Sequence, residues 1–178
     1  MRGFFLSLAI LLAPRIALAD SGFFPSAELA KEYRRLVLRY NKKTGARLIS
    51  VPGLKKWMKA GKKLVILDVR QGDEYEAATL PGAILVAPDK KKGWPKLDLP
   101  KDAQVIAFCT IGYRAGCAAR AYEERLGRKI YTLDGGLIQW FNEGGIVVDG
   151  AGKTVNKIDA YMPDLEKYVK ARKDIPSP

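Results

Sequence analysis

The stretch VIAFCTIGYRA, residues 105–115, joins an apolar run to a short polar turn and then to the start of a helical pattern. The run Val105–Phe108 has almost no alternation of apolar and polar residues, which is typical of a strand buried on both faces. Residues 115–126 then show helical periodicity. A buried strand that leads directly into a helix is the repeating unit of a parallel α/β sheet.

The same alternation of strand and helix extends in both directions along the chain. Each further strand candidate is an apolar run of about four residues, β-branched or aromatic in part, and each lies between two helical patterns. The sequence therefore predicts an α/β fold with a mostly parallel sheet flanked by helices. The predicted strands are 64–67, 83–86, 105–108 and 130–133, and the predicted helices are 54–60, 73–77, 115–126 and 137–143.

The sequence outside this region predicts two extensions of the α/β domain. We expect a signal segment over residues 1–19, an N-terminal helical extension over 20–47, the domain over 48–148 and a C-terminal tail over 149–178. The extension should form a helix over 26–41, with Ser26 as its N-cap, and the tail should form one over 163–173.

The first nineteen residues have the pattern of a secretory signal. A basic start precedes an apolar run of about ten residues and an Ala-Leu-Ala site that ends at Ala19. We therefore expect cleavage between Ala19 and Asp20 and a protein that is exported, either periplasmic or secreted, without a stable membrane span. The alternative is an uncleaved anchor that lies on the membrane surface.

The composition excludes several kinds of site. The chain has no histidine, so Ser-His-Asp and Cys-His catalytic sites and His-ligated zinc are excluded. Two cysteines are too few for a four-cysteine zinc site or an iron–sulfur cluster. We expect neither a metal nor a cofactor.

The net charge of +12 raises the question of an anionic partner. The basic residues are scattered along the chain, and no RNA-binding aromatic motif or zinc-finger spacing accompanies them. A solvated basic surface is the simpler interpretation, so we expect no nucleic acid partner.

The chemistry is predicted at the turn after Phe108. A thiol at Cys109 would lie at the carboxyl end of a strand and at the N-terminus of a helix, where unpaired amides favour the thiolate form. Gly112 lets the backbone turn its amides inward as an anion-binding cup, and Arg114 adds a positive charge. The alternative for Cys109 is a small buried hydrophobic residue, but the Cys-x-x-Gly-x-Arg pattern favours a functional one.

Residues 48–148 resemble the rhodanese domain of sulfurtransferases. The resemblance rests on motifs in the family's order: an Asp-x-Arg strand followed by a short helix, a Leu-Pro-Gly-Ala turn, a six-residue cysteine loop and a glycine turn before a tryptophan helix. It implies an open, mostly parallel five-stranded sheet. The motifs stand at 64–70 with 73–77, at 80–83, at 109–114 and at 133–136 with Trp140.

The resemblance also implies an activity and roles for individual residues. Cys109 would be the nucleophile that takes a sulfane sulfur from a small donor such as thiosulfate, and would pass it to a thiol or cyanide acceptor, with a protein acceptor as a further option. Asp68 would brace the loop and Arg70 would contact the substrate, with purely structural roles equally open for both. The residues that would hold the persulfide and the oxyanion of the donor are Thr110, Ile111, Gly112, Tyr113, Arg114 and Ala115.

The loop differs from many active members of the family, and this keeps an alternative open. Positions 110, 111 and 113 carry no charge, which puts a preference for thiosulfate in doubt. A non-enzymatic sulfur carrier or protein-interaction module is therefore the rival hypothesis. Phosphatases with this architecture have a loop one residue longer, so they fit less well. Cys117, in the first turns of the next helix, is either a resolving thiol or a packing residue.

Overall fold

A computed structural model describes residues 21–173, and the predicted secretory signal lies outside that range. A short 3-10 helix, Ser21–Phe23, precedes six α-helices and seven β-strands in the described part of the chain. The elements are α1 Ala27–Thr44, β1 Arg47–Ile49, α2 Val51–Lys59, β2 Leu64–Asp68, α3 Gly72–Ala77, β3 Ile84–Leu85, β4 Gln104–Phe108, α4 Tyr113–Leu126, β5 Ile130–Leu133, α5 Gly136–Asn142, β6 Val147–Val148, β7 Thr154–Val155 and α6 Pro163–Glu166.

Five strands form one parallel sheet in the order β1-β5-β4-β2-β3. The strand that precedes the cysteine turn, β4, lies in the centre, with Val105 opposite both Val65 of β2 and Ile130 of β5. β6 and β7 form a separate antiparallel pair. The predicted fold class is confirmed, and the carboxyl end of β4 lies between two neighbouring strand ends.

Both faces of the sheet are covered, as the unbroken apolar runs predict. Successive residues of β2 and β4 point to opposite faces. On one face, Ile66, Ile106 and Phe108 join a core with residues of α1, α2 and α5. On the other, Leu67, Val105 and Ala107 pack with residues of α4.

Several elements differ from the sequence-based expectation, which included neither β1 nor the β6–β7 pair. β1 is a three-residue edge strand in which Ile49 alone is buried, so it has too little apolar pattern to be recognised. The tail helix predicted over residues 163–173 ends at Glu166. Its continuation is replaced by bonds to the side chain of Asn142, which donates to the carbonyl of Tyr168 (2.8 Å) and accepts from the amide of Lys170 (3.0 Å).

The N-terminal helix is part of the core and not a loose appendage. Ser26 caps it by accepting from the amide of Leu29 (3.1 Å), as predicted. Tyr33 and Val37 are each 1% exposed. None of the helices within residues 21–173 has both the length and the apolar character that a membrane crossing requires.

Helices α1 and α4 pack together at Gly116, where there is no space for a side chain. A Cβ added at Gly116 would lie 2.5 Å from Oγ1 of Thr44, the last residue of α1. No side chain larger than hydrogen fits this position unless the helices move apart.

We predict that Gly116→Ala destabilises the protein, although alanine is the better helix former. Helix propensity alone would stabilise the variant by about 1 kcal/mol. Overpacking against Thr44 costs about 1–3 kcal/mol, and we expect it to dominate. Urea unfolding gives the change in the free energy of unfolding.

Gly72→Ala is the matched control, because its added Cβ would meet its nearest neighbour, Cδ2 of Leu85, only at 4.0 Å. That variant should keep or slightly exceed the stability of the natural sequence. A Gly116→Ala protein at least as stable as the natural one would contradict the packing argument.

Candidate active site

The backbone of the loop between β4 and α4 donates a hydrogen bond to the sulfur of Cys109. The amide of Gly112 donates to Sγ of Cys109 at 3.2 Å. Gly112 is the N-cap of α4 and has φ of 109°, a conformation that disfavours any side chain. This amide therefore points at the sulfur and not towards solvent.

The first turn of α5 holds the same loop from the other side. The amide of Leu137 donates to the carbonyl of Cys109 (2.9 Å), and the amide of Ile138 donates to that of Thr110 (3.2 Å). Gly136 makes this contact feasible, because a Cβ there would lie 2.2 Å from the carbonyl oxygen of Cys109. Both loop carbonyls are thus engaged by α5, which fixes the planes of the peptides that follow the cysteine.

An ion pair closes the loop on its third side. Arg114 donates from NH1 and NH2 to the two carboxylate oxygens of Glu74 at 2.6 and 2.7 Å, and also to Oγ1 of Thr110 at 3.1 Å. Glu74 belongs to α3, where its carboxylate also accepts from the amide of Gln71 (3.1 Å) in a capping box. The bidentate pair joins α3 to the loop.

The pair stays ionised despite its burial. Burial alone would raise the pKa of Glu74, but the hydrogen bonds from Arg114 and Gln71 hold it below its usual value. Burial alone would lower the pKa of Arg114, whereas Glu74 and Cys109 raise it well above its ordinary value. Much of the positive charge of Arg114 is therefore balanced by Glu74.

Glu74 is a site residue that sequence reasoning missed. Its signal was local, an acid three residues after Gln71 at the start of a predicted helix. That pattern indicates a helix cap, and nothing in it connects Glu74 to Arg114, forty positions later.

Asp68 and Arg70 form a buried ion pair with each other. Both side chains are fully buried. Asp68 accepts from Nε of Arg70 (2.9 Å) and from Oγ1 of Thr79 (2.8 Å), and Arg70 also donates to the carbonyl of Ala78. The bonds described for Asp68 do not reach the 109–114 loop, and Nη1 of the buried Arg70 has no hydrogen-bond partner among the described residues. The pair instead ties the end of β2 to the segment after α3.

The remaining loop residues differ sharply in exposure. Thr110, Ile111 and Ala115 are buried, and Cys109 itself is only 1% exposed. Tyr113 is 43% exposed, and its ring lies 5.1 Å from that of Tyr40 on α1. The rim of the loop is therefore aromatic, and α1 contributes to it.

The two cysteines are separate free thiols, Cys109 buried and Cys117 exposed. In this structure they do not form a disulfide, and Cys117 does not pack into the core. Residues 21–173 contain no cluster of three or more side chains suited to holding a metal ion.

Comparison with curated proteins finds relatives over most of the chain. A tRNA uridine(34) hydroxylase of Xanthomonas axonopodis is 28% identical and covers 88% of this chain and 70% of its own length. One of Bordetella parapertussis is 27% identical and covers 75% and 59%. One of Xylella fastidiosa is 30% identical and covers 66% and 50%. The chain thus spans between half and seven tenths of the length of these relatives.

Comparison with solved structures shows the same fold. A protein of Bacillus halodurans has a TM-score of 0.52 at 23% identity, over 74% of this chain and 96% of its own. Thiosulfate sulfurtransferase of Pseudomonas aeruginosa has a TM-score of 0.52 at 17% identity, over 68% and 23%. At these identities the likeness concerns the fold alone.

The sequence model of one family matches residues 50–143. This range is more than half of the chain and includes the cysteine loop, the Glu74 brace and the first turns of α5. Its order of motifs is the order that the sequence presents, on a sheet of the expected topology. The chain belongs to the rhodanese-like domain family.

Proposed function

We propose that this protein is a rhodanese-type sulfurtransferase in which Cys109 carries a sulfane sulfur as a persulfide. The observation that carries the proposal is the amide of Gly112 directed at Sγ of Cys109 (3.2 Å) within a loop held on two sides. Such an amide stabilises a thiolate, and also the anionic persulfide that succeeds it, without an imidazole base.

The proposed reaction has two displacement steps. The Cys109 thiolate attacks the outer sulfur of a donor such as thiosulfate, a new S–S bond forms, and the old one breaks as sulfite leaves with the electron pair. An acceptor thiolate, or cyanide, then attacks the terminal sulfur and releases the Cys109 thiolate. No external oxidant or reductant is consumed, and proton transfer is not needed if both nucleophiles are ionised.

The surroundings of the loop bear on which donor is used. Glu74 balances much of the charge of Arg114, so a doubly charged donor would be held mainly by backbone amides. The exposed rim is formed by the aromatic side chain of Tyr113. Both features support an organic persulfide or thiosulfonate donor over thiosulfate itself. Because Cys109 is almost fully buried, transfer also requires the rim to open locally.

The rival hypothesis is a sulfur carrier or an interaction module that does not turn over. A carrier would form the persulfide but would not release it repeatedly to a small thiol. A module that only binds a partner would not need a reactive Cys109. Turnover therefore separates the enzyme from both rivals, and persulfide formation separates the carrier from the module.

We predict that Cys109→Ser abolishes sulfur transfer, with a loss of at least about a thousandfold, because the nucleophile is removed. Residues 20–178 are incubated with thiosulfate or an organic thiosulfonate. Intact mass gives the gain of one sulfur, and thiocyanate formed after addition of cyanide gives turnover.

Cys117→Ser is the matched control and should retain both signals, since Cys117 lies on the exposed face of α4. A persulfide on the natural protein without turnover would indicate the carrier. Absence of both signals with every donor would overturn the proposal.

We further predict that Glu74→Gln lowers transfer by about tenfold or more and destabilises the fold by about 1–3 kcal/mol, because Arg114 loses its charged partner. Since the folded pKa of Glu74 is below its usual value, its stabilisation is fully present at neutral pH. It is lost as the pH falls through that lowered pKa. Unfolding experiments across this range should show the two proteins converging at low pH.

Glu76→Gln, an exposed position on the same helix, is the control and should have little effect on either quantity. An equal difference between the natural protein and Glu74→Gln at every pH would contradict the ion-pair argument.

A second candidate function follows from the names of the relatives. Curated proteins at 26–33% identity are called tRNA uridine(34) hydroxylases, and this chain has a net charge of +12. Action on tRNA would then replace or accompany sulfur transfer. The proposed export of the protein opposes it, since tRNA is a cytoplasmic molecule.

Two measurements test this second candidate. N-terminal sequencing of the natural protein should begin at Asp20 if residues 1–19 are a cleaved signal. Filter binding of tRNA across a salt series should show no specific affinity if sulfur transfer alone is the function. A start at Met1 together with tight tRNA binding would favour the tRNA-directed function.

A further inference from the structure

The N-terminal helix α1 lies outside the residues matched by the family model, yet its side chains bond to a turn that contacts the candidate site. Three of its side chains bond to the turn between β5 and α5. The hydroxyl of Tyr33 donates to the carbonyl of Gly135 at 2.5 Å. Arg34 and Asn41 donate to the two carboxylate oxygens of Asp134 at 2.7 and 2.9 Å.

This turn, Asp134–Gly136, is in direct contact with the cysteine loop. The backbone of Gly136 lies so close to the carbonyl of Cys109 that no side chain fits between them. The next two amides, of Leu137 and Ile138, donate to the carbonyls of Cys109 and Thr110. A displacement of the turn would therefore move the two peptides that orient the sulfur.

The buried hydroxyl of Tyr33 bonds to this turn. Its side chain is enclosed between the rings of Phe24 and Tyr168, each 5.1 Å from its own. Burial, and next the proximity of Cys109, raises the pKa of Tyr33 well above its usual value. The hydroxyl thus keeps its proton and remains a donor to the carbonyl of Gly135.

We propose that Tyr33 is a positioning residue for Cys109, acting through Gly135 and the first turn of α5. The hydrogen bond from Tyr33 fixes the turn, the turn fixes the carbonyls of Cys109 and Thr110, and these set the direction of the Gly112 amide towards Sγ. Arg34 and Asn41 support the same turn through Asp134. The inference deepens the proposed function, on which its activity measurement rests.

The test compares Tyr33→Phe with Tyr168→Phe. The rings of the two tyrosines are in contact, but the hydroxyl of Tyr168 donates to Oε1 of Glu32 (2.7 Å), which does not belong to the turn. Tyr33→Phe loses a buried hydroxyl and Tyr168→Phe a partly buried one, so unfolding is measured for both variants and Tyr33→Phe is expected to lose more stability. Because misplacement by about 1 Å costs up to about a hundredfold in rate, we expect Tyr33→Phe to lower kcat at least about tenfold.

The KM for the donor should change by less than about twofold in Tyr33→Phe, since orientation of the sulfur and not donor binding is impaired. Tyr168→Phe should keep kcat within about twofold of the natural protein. Equal losses of kcat in the two variants would overturn the proposal. So would a Tyr33→Phe protein that loses stability but keeps the kcat of the natural protein.

A second measurement separates this inference from the proposed function. In a Cys117→Ser background, iodoacetamide alkylates Cys109, and peptide mapping gives the rate without any sulfur donor. Tyr33→Phe should alter this rate at least about threefold and Tyr168→Phe should not. If the natural protein forms no persulfide, the proposed function fails, and the alkylation rates alone decide the role of Tyr33. A change in the Tyr33→Phe alkylation rate of less than about threefold would then overturn that role.

Discussion

A sulfur atom in the protein interior has few ways to carry negative charge, and here a backbone amide provides one. The Gly112 amide lies 3.2 Å from Sγ of Cys109. This geometry exists only because Gly112 adopts a positive φ, and because α5 engages the carbonyls of Cys109 and Thr110. The chain has no histidine, so in the proposed function the amide of Gly112 and the start of α4 would take the electrostatic role that an imidazole has in many cysteine enzymes.

The charges around this amide cup are arranged in pairs. Arg114 would be the natural anchor for an anionic donor, but its guanidinium is held by both oxygens of Glu74. Asp68 and Arg70 form a second pair that is entirely buried. Because each charge is already paired, such ion pairs contribute little net binding energy to a ligand. Their main effect is to hold in place the backbone segments that they join. Both pairs fix loops after parallel strands, which is where this class of fold places its sites.

The sequence was informative where the signal is local. The unbroken run Val105–Phe108, the helix that follows Gly112 and the cap at Ser26 were each predictable from a few adjacent residues. The long-range contacts were not, because Glu74 bonds to Arg114 across 40 positions, and Tyr33 bonds to Gly135, in the turn beside the loop, across 102. The tail helix was predicted too long for the same reason. Periodicity predicts its length, but the side-chain amide of the distant Asn142 bonds to the backbone of Tyr168 and Lys170.

The N-terminal and C-terminal ends of the described chain meet on one side of the molecule. Lys170 donates to the carbonyl of Gly22, and both Lys167 and Tyr168 donate to Glu32 of α1. Ends that lie this close allow a domain to be inserted into a surface loop of another protein, or to be circularly permuted, with little distortion of its core.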